Sequence, residues 1–560
     1  MQDQNLFRPV DYVVFGVMLI ISLAIGIYYS WKDRSTKDKT RNYLIAGSNM
    51  NSWAAGMSLS FTVISPTTIL AIPAEIYIFG SMFIWLVVAA WIVGLFTISL
   101  YIPLFFRLNI TSIYEYLQLR YSYPVRILGT IAFIVQTTMY IGVMVYTPAL
   151  AFTQVSGFNL WAAIFTTGIV CTAYTTVGGL KAVIWTDVFQ GVVIMIIQVI
   201  VLFMSASYVG GWKIVWEANS KTDRFNFFDS DFDPRTRHTV WSLLIGLTIL
   251  WLSIYATSQS QAQRFLACKS AKSAKKAMIF SDVVISFVVL LSVIIGWVTY
   301  AAFHNCDPIL TKQVTAPDQL LPFMVTRVFQ LYPGLSGAFL AAVYAGSLST
   351  LSSGINAMAC VTTEDLIRPF VRWSDSTMIV VAKALACFYG FCGIGFACMC
   401  SILGNILQTS LTLLGILGGP TLGMYTMGAV FPLANSWGAS IGFISGVSFS
   451  SWIYAGSRHY PPQLKYWKPK YRSTSECVSE NDVESTFISM INTTMKMTNT
   501  SPFLSETVSN TAIASIQPYD APRPALANLY DVSYLYYAPI GLAVTLVVGL
   551  FVSALTCKNK

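Results

Sequence analysis

Ser58-Leu59-Ser60-Phe61-Thr62-Val63-Ile64-Ser65-Pro66-Thr67-Thr68 sets six hydroxyl side chains and a proline in the middle of a long apolar run. Proline lacks an amide donor and clashes with the preceding turn, so unwinding near Ser65 leaves carbonyls such as those of Phe61 and Ile64 without helical partners. In a bilayer such carbonyls must face a cavity, water or an ion. Two readings fit this stretch alone: a proline kink repaired by neighbouring hydroxyls, and a broken helix that holds a ligand.

The surrounding chain is built for lipid. Of its 560 residues 55% are hydrophobic and only 11% charged, and the mean hydropathy of +0.62 places it in the membrane class. Runs of roughly 20 apolar residues, the length that crosses a bilayer, begin near residues 9, 50, 82, 124, 158, 185, 240, 278, 335, 377, 404, 437 and 534. The expected architecture is all-α with about thirteen spans. The first run is too long for a secretory leader and no small-residue cleavage site follows it, so it reads as a retained helix.

Basic residues cluster in alternate connections: Lys32, Arg34, Lys37, Lys39 and Arg41; Arg107 and Arg120; Arg264, Lys269, Lys272, Lys275 and Lys276; Arg368 and Arg372. The positive-inside rule puts these in the cytoplasm, with the N-terminus outside and Lys558-Asn559-Lys560 inside. Topology thus accounts for the net charge of +9, and no nucleic-acid partner is needed. Residues 457–533 form a polar outer loop whose sequons, at Asn492 and Asn499, are glycosylation acceptors only on that side. Cys306 and Cys477 both fall in outer loops, where a disulfide is chemically permitted. His238, His304 and His459 fall there too, without a metal-ligand neighbourhood.

Two further segments carry polar groups at bilayer depth. Thr257-Ser258-Gln259-Ser260-Gln261-Ala262-Gln263 must turn its amides inward, since lipid offers no partner. It begins five spans after the Ser58 run, and paired helix breaks in two five-helix halves point to an inverted-repeat transporter. Gly346-Ser347-Leu348-Ser349-Thr350-Leu351-Ser352-Ser353-Gly354-Ile355-Asn356 places Ser349, Ser352, Ser353 and Asn356 on one stripe. Small-residue helix packing explains such a stripe; so does a desolvated monovalent cation, which takes hydroxyl and carbonyl oxygens in place of water.

Gly178-Gly179-Leu180-Lys181-Ala182-Val183-Ile184-Trp185-Thr186-Asp187-Val188-Phe189-Gln190, Gln263-Arg264-Phe265-Leu266 and Ser347 to Met358 together resemble the solute:sodium symporter family. Within it, Leu59 to Glu75 and the last of these segments are most similar to the branch of the sodium/iodide, sodium-coupled monocarboxylate and sodium-dependent multivitamin transporters.

The resemblance implies a leucine-transporter-like 5+5 core over residues 50–431, with repeats at about 50–208 and 240–431. One helix within 1–49 precedes it; a twelfth helix at 432–456 and the last helix within 534–560 follow. It also implies a sodium site on the carbonyls of Phe61, Ile64 and Gly346 and the hydroxyls of Ser349 and Thr350. A second sodium or the ion route would involve Thr62, Ser65, Tyr140, Asp187, Gln190 and Gln259, and the solute would meet Val63, Thr68, Trp251 and Tyr255. Thr68 departs from the glutamine of the iodide transporter and Val63 from the asparagine of bacterial sugar members, which disfavours iodide and sugar.

The expected function is sodium-coupled import of a small organic anion by alternating access at the plasma membrane. Another solute such as iodide, choline or a sugar, a sodium-independent exchanger, and a receptor on the same fold stay open as alternatives. A membrane-embedded enzyme would need an assembled acid, base or nucleophile. The interior instead offers scattered acids, Asp187 and Asp282 towards one face and Glu75 towards the other.

Overall fold

The computed structural model describes residues 7–32, 46–108, 110–371, 373–400, 406–475, 477 and 526–556. Asn492, Asn499, Lys558 to Lys560, Arg372 and the basic stretch from Arg34 to Arg41 lie outside them. Among the described residues the chain is helical apart from connections and one isolated bridge between Met50 and Cys268.

The main helices are α1 (Pro9–Lys32), α2 (Ser52–Val63), α3 (Thr67–Phe79), α4 (Ser81–Leu108), α5 (Tyr123–Ser156), α6 (Leu160–Ala173), α7 (Gly179–Val209), α8 (Ser242–Thr257) and α9 (Gln259–Ala267). Then come α10 (Ala271–Phe303), α11 (Leu335–Ile367), α12 (Ser376–Cys400), α13 (Ile406–Val430), α14 (Ser436–His459) and α15 (Tyr534–Thr556). Nine described helices are long and apolar enough to cross a membrane, or up to eleven if each bent pair counts as one span. The count of thirteen is therefore not confirmed. The runs expected near 158 and 437 are α6, which is short, and α14, whose glycines and serines dilute its hydropathy.

Two pairs are bent at a break, α2 with α3 by 62° and α8 with α9 by 59°. At the first, Ile64 takes φ −68° and ψ 110°, which turns its carbonyl out of the helical direction just before Pro66. At the second, Ser258 is extended. The hinge between α6 and α7 is Gly179, at φ 68° and ψ 172°, a conformation that a side chain would strain.

Helix α11 is the central post. Every residue from Phe339 to Val361 is buried, whereas only 22% of the most apolar window of α1 is. Its start is held by Asp11 of α1, whose Oδ1 accepts from the amides of Gly334 (2.9 Å) and Gly337 (3.0 Å). A carboxylate at a helix start satisfies donors that have no intrahelical partner.

On the face that also carries Glu75, a strap over residues 460–475 lies across the core. Lys470 N donates to Ile78 O, Arg237 N to Tyr466 O and Asp307 N to Ser473 O. A disulfide between Cys306 and Cys477 closes the strap, 171 residues apart in sequence. Replacing both cysteines by serine is expected to cost about 2–4 kcal/mol, as for other disulfides that close long loops. A thermal midpoint unchanged in the double variant would contradict this.

Candidate functional site

The two breaks face each other beside α11, and the reason is steric. Gly346 has no side chain, and a Cβ there would stand 3.3 Å from Ser65 C and 3.4 Å from Pro66 N. The unwound residues therefore lie directly on α11. One turn further along, Ser349 Oγ sits 2.9 Å from the Phe61 carbonyl oxygen and 2.7 Å from Asp187 Oδ1, so its single proton is shared. Thr350 Oγ1 lies 3.2 Å from Thr62 O and 3.1 Å from Gly346 O. The expected sodium ligands Phe61, Gly346, Ser349 and Thr350 are thus brought together, with Ile64 buried at the break. All are neutral oxygens, the donor chemistry that suits a desolvated monovalent cation.

Beside this cluster is a cavity of about 60 Å³ whose walls include Val63, Gln136, Tyr140, Trp251, Gln261 and Thr350. At roughly 10–15 Å³ per water it has room for about four to six, the scale of a very small solute. Among the described residues its lining carries no charged side chain, and the indole Nε1 of Trp251 and Oε1 of Gln261 have no partner. Thr62 also lines it. Tyr140 reaches Ser65, whose Oγ lies 2.7 Å from Thr67 Oγ1.

Thr68, half-buried, is not in this wall; its hydroxyl lies 3.4 Å from Ser65 N. Nor is Tyr255. The lining stripe of α8 runs through 251, 254 and 257, so position 255 falls about 100° round the helix, and its ring is turned towards Ser281 and Asp282 of α10.

Asp187 is not a lone acid. Arg264 Nη2 lies 2.9 Å from its Oδ2, and both side chains are completely buried. Ser58 bridges them, accepting from Arg264 Nε at 2.7 Å and donating to Asp187 Oδ2 at 2.5 Å. Arg264 also reaches Ser353 and Ser260 O (2.6 Å). Arg264, counted above with the basic cytoplasmic residues, is instead an interior residue of α9, because Asp187 supplies the charge that burial demands. Likewise Lys272, Lys275 and Lys276 lie in the opening turns of α10 rather than in a loop.

Gln259 is not part of that knot. Its Oε1 accepts from Ile113 N at 2.9 Å and its Nε2 donates to Thr111 O at 2.7 Å, tying the second break to the connection after α4. Gln190 contacts Ser22 of α1 at 3.4 Å, and its Oε1 has no protein partner.

Besides the Asp187–Arg264 pair, sequence reasoning missed two further buried ion pairs. Arg126 of α5 holds Asp365 of α11, its Nε at 2.9 Å, and Ser112 and Thr130 each donate to Asp365 Oδ2 at 2.8 Å. Arg237 holds Glu75 of α3 at 2.8 Å. A basic residue beside a predicted span was the available signal, and it points equally well to topology.

The description "Sodium:solute symporter family" matches residues 43–446. Sodium-coupled monocarboxylate transporter 1 of Xenopus laevis is 40% identical over 552 residues, 98% of this chain and 86% of that protein. The chain belongs to the sodium:solute symporter family. Other relatives are human sodium-coupled monocarboxylate transporter 2, 39% identical over 99% of this chain and 85% of its own length, and the human sodium/iodide cotransporter, 36% identical over 100% and 85%. A solved structure of a Na+-coupled sialic acid symporter superposes with a TM-score of 0.76 at 22% identity, covering 98% of each chain. At that identity the likeness speaks for the fold, the leucine-transporter-like core with one helix before it. In this family the breaks of α2–α3 and α8–α9 are the paired interruptions of the inverted repeat.

Proposed function

We propose that this symporter imports a small organic anion of the monocarboxylate or vitamin-like carboxylate class, driven by sodium, across the plasma membrane, with its N-terminus outside and C-terminus inside. The observation that carries the reading is a neutral-walled cavity beside a cluster of hydroxyl and carbonyl oxygens. A carboxylate in a low-dielectric site needs a counter-charge, and the wall supplies none. Sodium held by Phe61, Ile64, Gly346, Ser349 and Thr350 supplies it, and a second sodium near Ser65 and Tyr140 would add to it. Trp251 Nε1 and the amides of Gln136 and Gln261 would orient the solute.

The cycle then needs no covalent chemistry. Sodium draws the break of α2–α3 against α11, which favours the solute-binding conformation, and by linkage solute raises sodium affinity in return. Each net charge moved inward gains about 2.3 kcal/mol per 100 mV. The carboxylate relatives and the departure at Val63, which lines the cavity, favour an organic anion over a sugar.

The direct test is uptake by purified protein in proteoliposomes, offered lactate, nicotinate, biotin, pantothenate, iodide and choline with and without a sodium gradient. Sodium-driven accumulation of a carboxylate is expected; accumulation independent of sodium would refute the coupling. Ser349→Ala and Thr350→Ala should each weaken apparent sodium affinity about tenfold, a loss of about 1.4 kcal/mol, while surface expression changes little because alanine suits a helix. Wild-type sodium activation in both would move the ion elsewhere.

A further inference from the structure

A cavity of about 270 Å³ opens beyond the Glu75 end of the broken helix, among Arg235, Arg237, Gln408, Ser457, Arg458 and Tyr534. One carboxylate, Asp531, shares this wall with the three guanidinium groups. Arg235 is paired with Asp233 at 2.6 Å, and Arg458 is exposed at the rim.

Arg237 is the buried member. Its side chain is 4% exposed; besides Glu75 and the ring of Phe79 at 4.3 Å on α3, it is held by groups of other elements. Its amide donates to Tyr466 O (2.9 Å), Ser533 Oγ donates to its carbonyl (2.8 Å), and its guanidinium lies over the rings of Trp467 (4.8 Å) and Tyr534 (4.9 Å). Nη1 donates to Gln408 Oε1 at 3.0 Å.

Its partner Glu75 rides on α3, the outer half of the broken helix. Glu75 offers Arg237 a single oxygen, Oε1, which meets both Nε (2.9 Å) and Nη2 (2.8 Å). A guanidinium fork is better matched by a carboxylate that presents both oxygens. His238, 3.4 Å from the same oxygen, adds no charge, because burial and the neighbouring Arg237 hold its pKa well below the usual range.

We propose that this cavity is a second, outer carboxylate site, in which the carboxylate of the incoming solute takes the place of Glu75 on Arg237. Glu75 is then a tethered stand-in for the solute. Its release breaks the ion pair between α3 and Arg237, so arrival of solute loosens the hold on the outer half of the broken helix. The site rests on the reading of the solute as a small organic anion, and it differs from the central cavity in carrying its own positive charge. It therefore binds carboxylate without sodium.

The test uses the full chain in proteoliposomes with lactate as probe. Glu75→Gln leaves Arg237 charged and without its tethered rival, so KM for lactate should fall about three- to tenfold; Glu75→Gln with Arg237→Gln should raise it above wild type. Equal KM values in the single and double variants would overturn the proposal. If Glu75→Gln, which leaves the buried Arg237 without its partner, does not fold, labelling of a Ser457→Cys variant in sodium-free buffer decides: lactate should slow labelling at that residue and choline chloride should not. No protection by lactate overturns the outer site. Absence of any sodium-driven carboxylate uptake by the wild type would instead refute the functional reading beneath it.

Discussion

Arg264→Gln and Asp187→Asn are each expected to abolish most folded protein at the surface, and the double variant to restore much of it. The pair is completely buried at 2.9 Å. Removing one member leaves an uncompensated charge where neither water nor lipid can solvate it, typically at a cost of 3–5 kcal/mol, about the size of many proteins' whole stability. Removing both leaves two neutral amides of similar shape, which can bond to Ser58, Ser349 and Ser353.

The expectation differs from one in which Asp187 serves the ion route alone. A route residue replaced by its amide would fold normally and lose coupling, and the double variant would rescue nothing. Surface protein and thermal midpoint for the three variants separate the cases. Normal folding of Asp187→Asn would remove Arg264 as its essential partner. Uptake per surface molecule in the double variant then reads what charge at this knot contributes to sodium activation.

How much was legible beforehand follows from how local each signal is. The breaks at Ile64 and Ser258 were legible because a proline and a run of amides disturb a helix within a few residues of themselves. The polar stripe of Ser349, Ser352, Ser353 and Asn356 was legible because hydroxyls at bilayer depth need partners, whereas Thr350 entered only through the family resemblance. Chain partners distant in sequence were not. Arg264 finds Asp187 across 77 residues and Arg237 finds Glu75 across 162, and neither arginine carries a mark that separates it from a topology-setting residue. Asp11 capping α11 is a contact across 323 residues of the same kind. Rotation of a helix is a third blind spot. Trp251 and Tyr255 share a turn, but which of them faces the cavity depends on how α8 is seated against α10, and that is decided by packing along its whole length. The run expected near 437 is the helix α14, whose serines and glycines make room for α15, against which Gly438, Gly442 and Gly446 pack closely.

Gly191→Ala should disable the proposed sodium cluster without touching any of its oxygens. Gly191 follows the Gly178 to Gln190 stretch on α7. A Cβ at this position would stand 2.2 Å from two ring carbons of Phe61, well inside van der Waals contact. The Phe61 ring is completely buried, so it can yield only by moving its own backbone or its neighbours. That backbone bears the carbonyl 2.9 Å from Ser349 Oγ, and displacing it separates the break from α11 at the proposed ion site. Overpacking of this kind costs about 1–3 kcal/mol, and the sodium requirement should rise by more than tenfold in the protein that still folds, since a shift of a few tenths of an ångström affects a whole ligand set rather than one donor. Two controls make the cause identifiable. Gly395→Ala adds the same methyl where nothing lies within 4 Å and should be neutral or stabilising by up to about 1 kcal/mol. Phe61→Leu in the Gly191→Ala background returns the space while keeping the carbonyl, and should recover part of the sodium affinity. Sodium activation of Gly191→Ala indistinguishable from wild type would mean that the position of Phe61 does not govern the ion, and the cluster on α2 and α11 would lose its assigned role.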